Sequence, residues 1–204
     1  MSGRDTTRLA LVRHGQTDWN LQRRIQGSSD IPLNEAGRRQ ARAAAALLAR
    51  RDWDAVFSSP LSRALETASI IAERLGLAAP AAVAGVAERA YGDAEGLTTD
   101  EILERYPEGA PIAGRESRDE VVERALPALT ALADARPGER LIVVSHGGVI
   151  GSLVRHVTAH ALPGPGHVIT NGSVHDFVYR DGALRLDRFN QSPDDHDLMT
   201  AAVQ

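Results

Sequence analysis

The sequence predicts an α/β fold: a three-layer α/β/α sandwich on a mostly parallel sheet, with an antiparallel edge near its C-terminal end. Three observations carry this. Short apolar runs alternate with longer amphipathic stretches in the order strand–helix–strand–helix. Leu141-Ile142-Val143-Val144 is apolar without interruption, the pattern of a strand covered on both faces of a parallel sheet. Asp181-Gly182 separates two late runs as a tight hairpin turn does. No repeat and no linker divides the chain. Residues 1–191 are therefore expected to form one domain and residues 192–204 a polar C-terminal tail.

Residues 8–12 read as the first strand, and residues 15–33 as a long loop with Gly15, Gly27, Ser28, Ser29 and Pro32 as turn formers. Asn34 caps an alanine-rich helix to about Arg51, and Ala55-Val56-Phe57 is a short strand. Ser59 and Pro60 suit the cap and first position of the next helix, whose apolar stripe is Leu61, Leu65, Ala68 and Leu75. Residues 82–87 suggest a third strand, and Thr98 or Thr99 caps a short helix over Glu101-Ile102-Leu103. After a Pro/Gly loop from Pro107 to Arg115 comes a helix from about 117 to 134, with Val122, Ala125, Leu129 and Leu132 on one face. Pro127 is expected to kink or break it, and Pro137-Gly138 to end it. The strand at Leu141–Val144 leads into a helix to about His160, a Pro/Gly loop over 161–167, and strands at 173–179 and 183–189.

Composition narrows the function. The chain is 43% hydrophobic and 25% charged with a net charge of -4, an ordinary globular balance that does not predict a nucleic-acid surface. The absence of cysteine excludes disulfides, thiolate catalysis and cysteine-rich zinc sites. Every Lys/Arg-type cation is arginine. The polar start Met1–Asp5 is followed by no signal-peptide core, and no apolar run approaches the roughly 18 residues of a membrane span, so a cytoplasmic protein is expected.

The chemistry concentrates at two strand ends. Val12-Arg13-His14-Gly15 and Val144-Ser145-His146-Gly147 both place a histidine at the carboxyl end of an apolar strand. Parallel neighbouring strands would bring both imidazoles to the edge where open α/β sheets bind ligands. Imidazole serves as nucleophile or base, and the guanidinium of Arg13 suits an oxyanion. Arg63, near a helix N-terminus, either faces an anion or pairs with Glu66. Glu88 either protonates a leaving oxygen or is a surface carboxylate. His156 and His160 stand one helical turn apart, but no further ligand completes a metal set, and no metal is expected.

Leu11-Val12-Arg13-His14-Gly15-Gln16-Thr17-Asp18-Trp19-Asn20 resembles the signature of the histidine phosphatase superfamily, the phosphoglycerate-mutase-like group. Gln26-Gly27 with Asp30, Pro32-Leu33 and Gly37 resembles its next segment, and Ser58-Ser59-Pro60-Leu61-Ser62-Arg63-Ala64 its second arginine block. Glu88-Arg89-Ala90-Tyr91-Gly92 with Glu95-Gly96 resembles its acid block, and Ser145-His146-Gly147-Gly148 its second histidine block. The blocks follow the family's order from residue 8 to about 150. The resemblance implies that His14 is the nucleophile and forms a phosphohistidine. It implies that Arg13, Arg63 and His146 surround the phosphoryl group and that Glu88 is the proton donor. Asn20, Gln26, Gly27, Tyr91 and the Gly147 N–H would line the substrate pocket with Arg13 and Arg63. It implies no cofactor.

The family holds phosphatases and mutases. Its mutases are longer and carry a lysine after the Tyr-Gly pair and paired arginines beyond it, which grip the substrate's second anionic group. Here no lysine exists, and Thr98-Thr99-Asp100 stands in that region, with Arg115 and Arg118 the nearest extra cations. The expected activity is therefore that of a metal-independent phosphomonoesterase acting on a small phosphate ester. The alternatives are a phosphoglycerate-type phosphomutase and, behind it, a non-catalytic phospho-ligand binding module. Specificity is expected in residues 21–31 and 90–118, where Arg23 and Arg24 either meet a distal anion or are solvated. The terminal hairpin leaves a sheet edge on which a second copy could pair as a homodimer.

Overall fold

A computed structural model describes residues 6–107, 110–164 and 166–191. The expected polar tail at 192–204 lies outside the described residues. Twelve helices and strands follow in order among those described: β1 (Thr7–Arg13), α1 (Asp18–Leu21), α2 (Glu35–Leu48), β2 (Ala55–Ser58), α3 (Ser62–Leu75), β3 (Ala81–Ala82), α4 (Thr99–Arg105), α5 (Arg118–Ala135), β4 (Arg140–Ser145), α6 (Gly147–Val157), β5 (Val174–Arg180) and β6 (Ala183–Gln191).

The strands form one six-stranded sheet in the order β3-β2-β4-β1-β5-β6. The first four run parallel, and β5 and β6 are antiparallel, as the sequence predicts. β1 lies at the centre and alternates its side chains between two cores. Leu9 and Leu11 face the layer of α5 and α6; Ala10 and Val12 face the layer of α2 and α3. Alanines at 41, 44 and 45 on α2 and at 64, 68 and 72 on α3 let that layer lie close to the sheet. Asp181 (φ 53°) and Gly182 (φ 74°) turn β5 into β6 with both residues left-handed, as a type I′ hairpin requires. No helix among the described residues is long and apolar enough to cross a membrane.

Several expectations shift. α3 starts at Ser62, not at Ser59-Pro60, because Ser59 is engaged elsewhere. Its first turn is closed from the preceding loop: Asp30 Oδ1 accepts from Ser62 N at 2.8 Å and from Ser62 Oγ at 2.7 Å. The buried face of α3 is Arg63, Ala64, Thr67, Ala68, Ile71 and Ala72, so of the predicted stripe Ala68 alone is fully buried. The third strand shrinks to two exposed residues followed by a turn at Ala84–Val86. α5 runs unbroken through Pro127 and buries Val121, Ala125, Leu129 and Ala133. Val122 and Leu132 sit at its flanks. α6 ends at Val157, and His160 lies past it with φ 67°, so the helical His156/His160 pair does not form. The predicted long loop contains the short α1, closed by a capping box between Thr17 and Asn20.

Where the loop after β1 meets α2, two backbones touch. A Cβ on Gly15 would collide with the backbone of Gly37, and one on Gly37 with the backbone of Gln16. Gly37→Ala is expected to overpack this crossing by about 1–3 kcal/mol, a fall in Tm of ~2–10 °C for a chain of this size. Scanning calorimetry would show it; an unchanged Tm would mean that the loop is not held against α2.

Candidate active site

β1 and β4 pair in register, Val12 with Val144 and Arg13 with Ser145, so both histidines leave the sheet side by side. Their ring centroids are 5.1 Å apart. Both rings are buried at the carboxyl edge of the parallel strands.

His14 is locked from its own backbone. Nδ1 stands 2.6 Å from the Gly15 carbonyl, which can only accept, so Nδ1 carries the proton and Nε2 keeps its lone pair. The His14 carbonyl accepts from Asn171 Nδ2 at 3.0 Å, and its N–H donates to Ser145 O. Burial holds the ring well below the ordinary imidazole pKa; Arg13 and Arg63 push the same way, and the bond to Gly15 opposes them only in part. The ring is therefore neutral.

His146 is oriented by Ser59. Leu61 N–H donates to Ser59 Oγ at 3.3 Å, and the same oxygen lies 2.7 Å from His146 Nε2. The other ring nitrogen, Nδ1, is buried without a partner among the described residues. Burial, and then His14, Arg63 and Arg13, hold this ring well below the ordinary range too.

Arg63 is wholly buried. Its Nη1 donates to Ser29 O and its Nη2 to Gly27 O, both at 2.7 Å, and it does not pair with Glu66, which binds Arg38. Thr67, one turn on, accepts from Gly15 N and donates to Arg63 O, tying α3 to the loop after His14. Arg13 Nη1 reaches Ile169 O at 2.5 Å. The Nε atoms of Arg13 and Arg63 are, like His146 Nδ1, buried with no partner among the described residues. Unpaired buried polar atoms are rare in folded proteins; here three belong to Arg13, Arg63 and His146.

Glu88 completes the group. Oε1 accepts from Arg89 N at 2.8 Å, and Gly148 N approaches Oε2 at 3.4 Å. A Cβ on Gly148 would stand 2.6 Å from Glu88 Oε1 and 3.2 Å from Tyr91 Oη, so this glycine makes room for both. Burial raises the Glu88 carboxyl pKa, opposed by the Arg89 and Gly148 N–H groups and by Arg63 and Arg13.

Arg13, His14, Asn20, Gln26, Gly27, Glu88, Tyr91 and Gly147 all line one cleft of about 350 Å³; Arg63 and His146 are fully buried and do not line it. Asn20 Oδ1 is held by Thr17 and by Asn171 Nδ2, and Gln26 Oε1 by Thr17 Oγ1. Their amide nitrogens make no hydrogen bond among the described residues. Arg24 lines the cleft but is not simply solvated: its Nη1 is bonded to Gly96 O at 2.6 Å and Glu101 at 3.1 Å.

Sequence reasoning missed the parts that hold these groups in place. Glu95 accepts from the N–H and hydroxyl of Ser28, from both of Ser29 and from Tyr91 N, fixing the turn whose carbonyls bind Arg63. Partial burial acts to raise its carboxyl pKa, but these donors outweigh it and hold the group below its usual value. Arg124 donates to the carbonyls of Gly85, Ala87 and Glu88 and pairs with Glu116 at 2.6 Å, stapling the acid-bearing loop to α5. The run Glu95-Gly96 signalled the first of these; no local signal marks Arg124.

The model of the histidine phosphatase superfamily (branch 1) matches residues 9–192. The chain is 38% identical over 192 residues to phosphoglycerate mutase-like protein 4 of Arabidopsis thaliana, covering 87% of this chain and 82% of that one. It is 35% identical over 198 residues to a metal-independent phosphoserine phosphatase of the same plant, covering 91% and 82%. Among solved structures, a mycobacterial glucosyl-3-phosphoglycerate phosphatase in complex with VO3 superposes with a TM-score of 0.80 at 32% identity, covering 91% of this chain and 99% of that one.

Proposed function

The chain belongs to the histidine phosphatase superfamily, and on that premise we propose that it is a metal-independent phosphomonoesterase working through a phosphohistidine on His14. The observation that carries this reading is the group of buried nitrogens without partners among the described residues, Arg13 Nε, Arg63 Nε and His146 Nδ1, beside the His14 imidazole, whose pKa burial holds well below the ordinary value. Such a site fits the equatorial oxygens of a phosphoryl group in transfer, where catalysis is mostly positioning and charge stabilisation.

The lone pair of His14 Nε2 attacks phosphorus. The bond from phosphorus to the ester oxygen breaks, and the proton on Glu88 goes to the departing alcohol. Glu88, now a carboxylate, takes a proton from water; the hydroxide attacks phosphorus, the P–N bond breaks and phosphate leaves. His14 is neutral again and Glu88 protonated. Asn20, Gln26, Gly27 and Tyr91 bind the ester, and the N–H of Gly147 faces the same cleft. Residues 1–191 act as one domain in this reading, in the cytoplasm. β6, at the sheet edge, is the strand on which a second copy would pair.

Purified protein is expected to release phosphate from an aryl phosphate in EDTA, and to yield an acid-labile, base-stable phosphoprotein on rapid quenching. Turnover that stops in EDTA would sink the metal-independent reading. Transfer of phosphate between positions of phosphoglycerate faster than its release would make the enzyme a mutase.

A further inference from the structure

His175 lies on β5 opposite Leu11, wholly buried, and does not line the cleft. Burial lowers its pKa to about 4, opposed by Asp176 and aided by Arg13, so the ring is neutral at neutral pH. Both ring nitrogens are engaged. Nδ1 lies 3.1 Å from Asn190 N, a backbone group that can only donate, so the ring proton is on Nε2. Nε2 stands 3.0 Å from Ser173 Oγ, and Ser173 Oγ donates to Thr170 O at 2.7 Å. The bonds run one way, from Asn190 through the imidazole and the Ser173 hydroxyl to Thr170.

The N–H that serves the ring comes from a bulge. Val174 pairs with Gln191 and Asp176 with Arg188, so two residues of β6, Phe189 and Asn190, stand against His175 alone. Asn190 takes φ 52°, a conformation that asparagine adopts more readily than most residues. Phe189 packs on the same imidazole, with ring centroids 5.3 Å apart.

At the other end of these bonds is the segment 169–173, whose contacts go to the end of β1. Ile169 O accepts from Arg13 Nη1, Gly172 N donates to Arg13 O, and Ser173 O accepts from Arg13 N. Asn171 Nδ2 reaches His14 O at 3.0 Å and Asn20 Oδ1 at 3.2 Å. The segment thus holds three residues of the cleft, and His175 bonds the segment at Ser173.

We propose that His175 is a positioning residue: through Ser173 it fixes residues 169–173 in the form that sets Arg13, His14 and Asn20 for phosphoryl transfer. This rests on the phosphatase reading above and adds a residue outside the cleft on which its rate depends.

His175→Phe keeps a ring against Phe189 and removes both bonds. Assayed well below its Tm, it is expected to lower kcat by roughly ten- to a hundredfold, equally on aryl and alkyl phosphates, with KM moved far less. Asn171→Ala cuts the hold of the segment on His14 and Asn20. The double variant is expected to be about as slow as the slower single one, because both changes break one device. An unchanged kcat with a lower Tm makes His175 a core residue only and overturns the proposal, as do losses that multiply in the double variant. Should His175→Phe not fold, Ser173→Ala breaks the same chain at its next link and is judged by the same outcomes. A wild type that hydrolyses no ester sinks the phosphatase reading alone. Calorimetric binding of inorganic phosphate then takes the place of kcat: affinity is expected to weaken severalfold in His175→Phe, with no further loss on adding Asn171→Ala, and an unchanged affinity overturns the positioning role.

Discussion

His14→Ala is expected to lower phosphate release by about 10⁴-fold or more on every ester, because removing a nucleophile removes the route itself and not one stabilising contact. The loss should be independent of leaving group. No phosphoprotein should be trapped on quenching, and far-UV circular dichroism should show the fold retained. The ring can act as nucleophile because Gly15 O accepts the hydrogen bond of Nδ1–H while burial and the two arginines disfavour protonation of Nε2. A variant that kept more than a few per cent of wild-type turnover would place the nucleophile elsewhere.

Glu88→Gln is expected to cost about 10²–10⁴-fold on an alkyl phosphate, the usual worth of a positioned general acid. The loss should be clearly smaller on a nitrophenyl phosphate, whose leaving oxygen departs without a proton. Burial raises the Glu88 carboxyl pKa, so the acid form persists above the ordinary glutamate range. Alkyl-ester turnover should therefore fall as pH rises through that raised value, and the same limb should be missing from the Glu88→Gln profile. Equal losses on both esters, or an unchanged alkaline limb, would mean that Glu88 does not supply the proton.

What the sequence made legible follows from how locally each feature is determined. β1 and β4 are apolar runs ending in histidine and glycine, and their register follows once the strands are parallel neighbours. Asn34 and Asp181-Gly182 act within a few residues of themselves and also stand where the sequence puts them. Ser59 misleads because its hydroxyl, a good helix cap by type, is taken by a histidine 87 positions away. The cap of α3 comes instead from Asp30. The stripe of α3 is displaced because its inner face buries Arg63 and Thr67, polar residues that a hydrophobic pattern leaves out. The roles of Glu95 and Arg124 depend on segments that meet only in the folded chain.

The central position of β1 has a consequence for synthesis. Its neighbours, β4 and β5, come from residues 140–145 and 174–180. The end that carries Arg13 and His14 is clasped by residues 169–173: Arg13 N donates to Ser173 O, Gly172 N donates to Arg13 O, and Asn171 holds the His14 carbonyl. A chain emerging from the ribosome therefore exposes its nucleophilic strand early and completes it late, after β5 has been made. Until then the His14 carbonyl lacks its bond from Asn171 and the Arg13 backbone lacks its clasp.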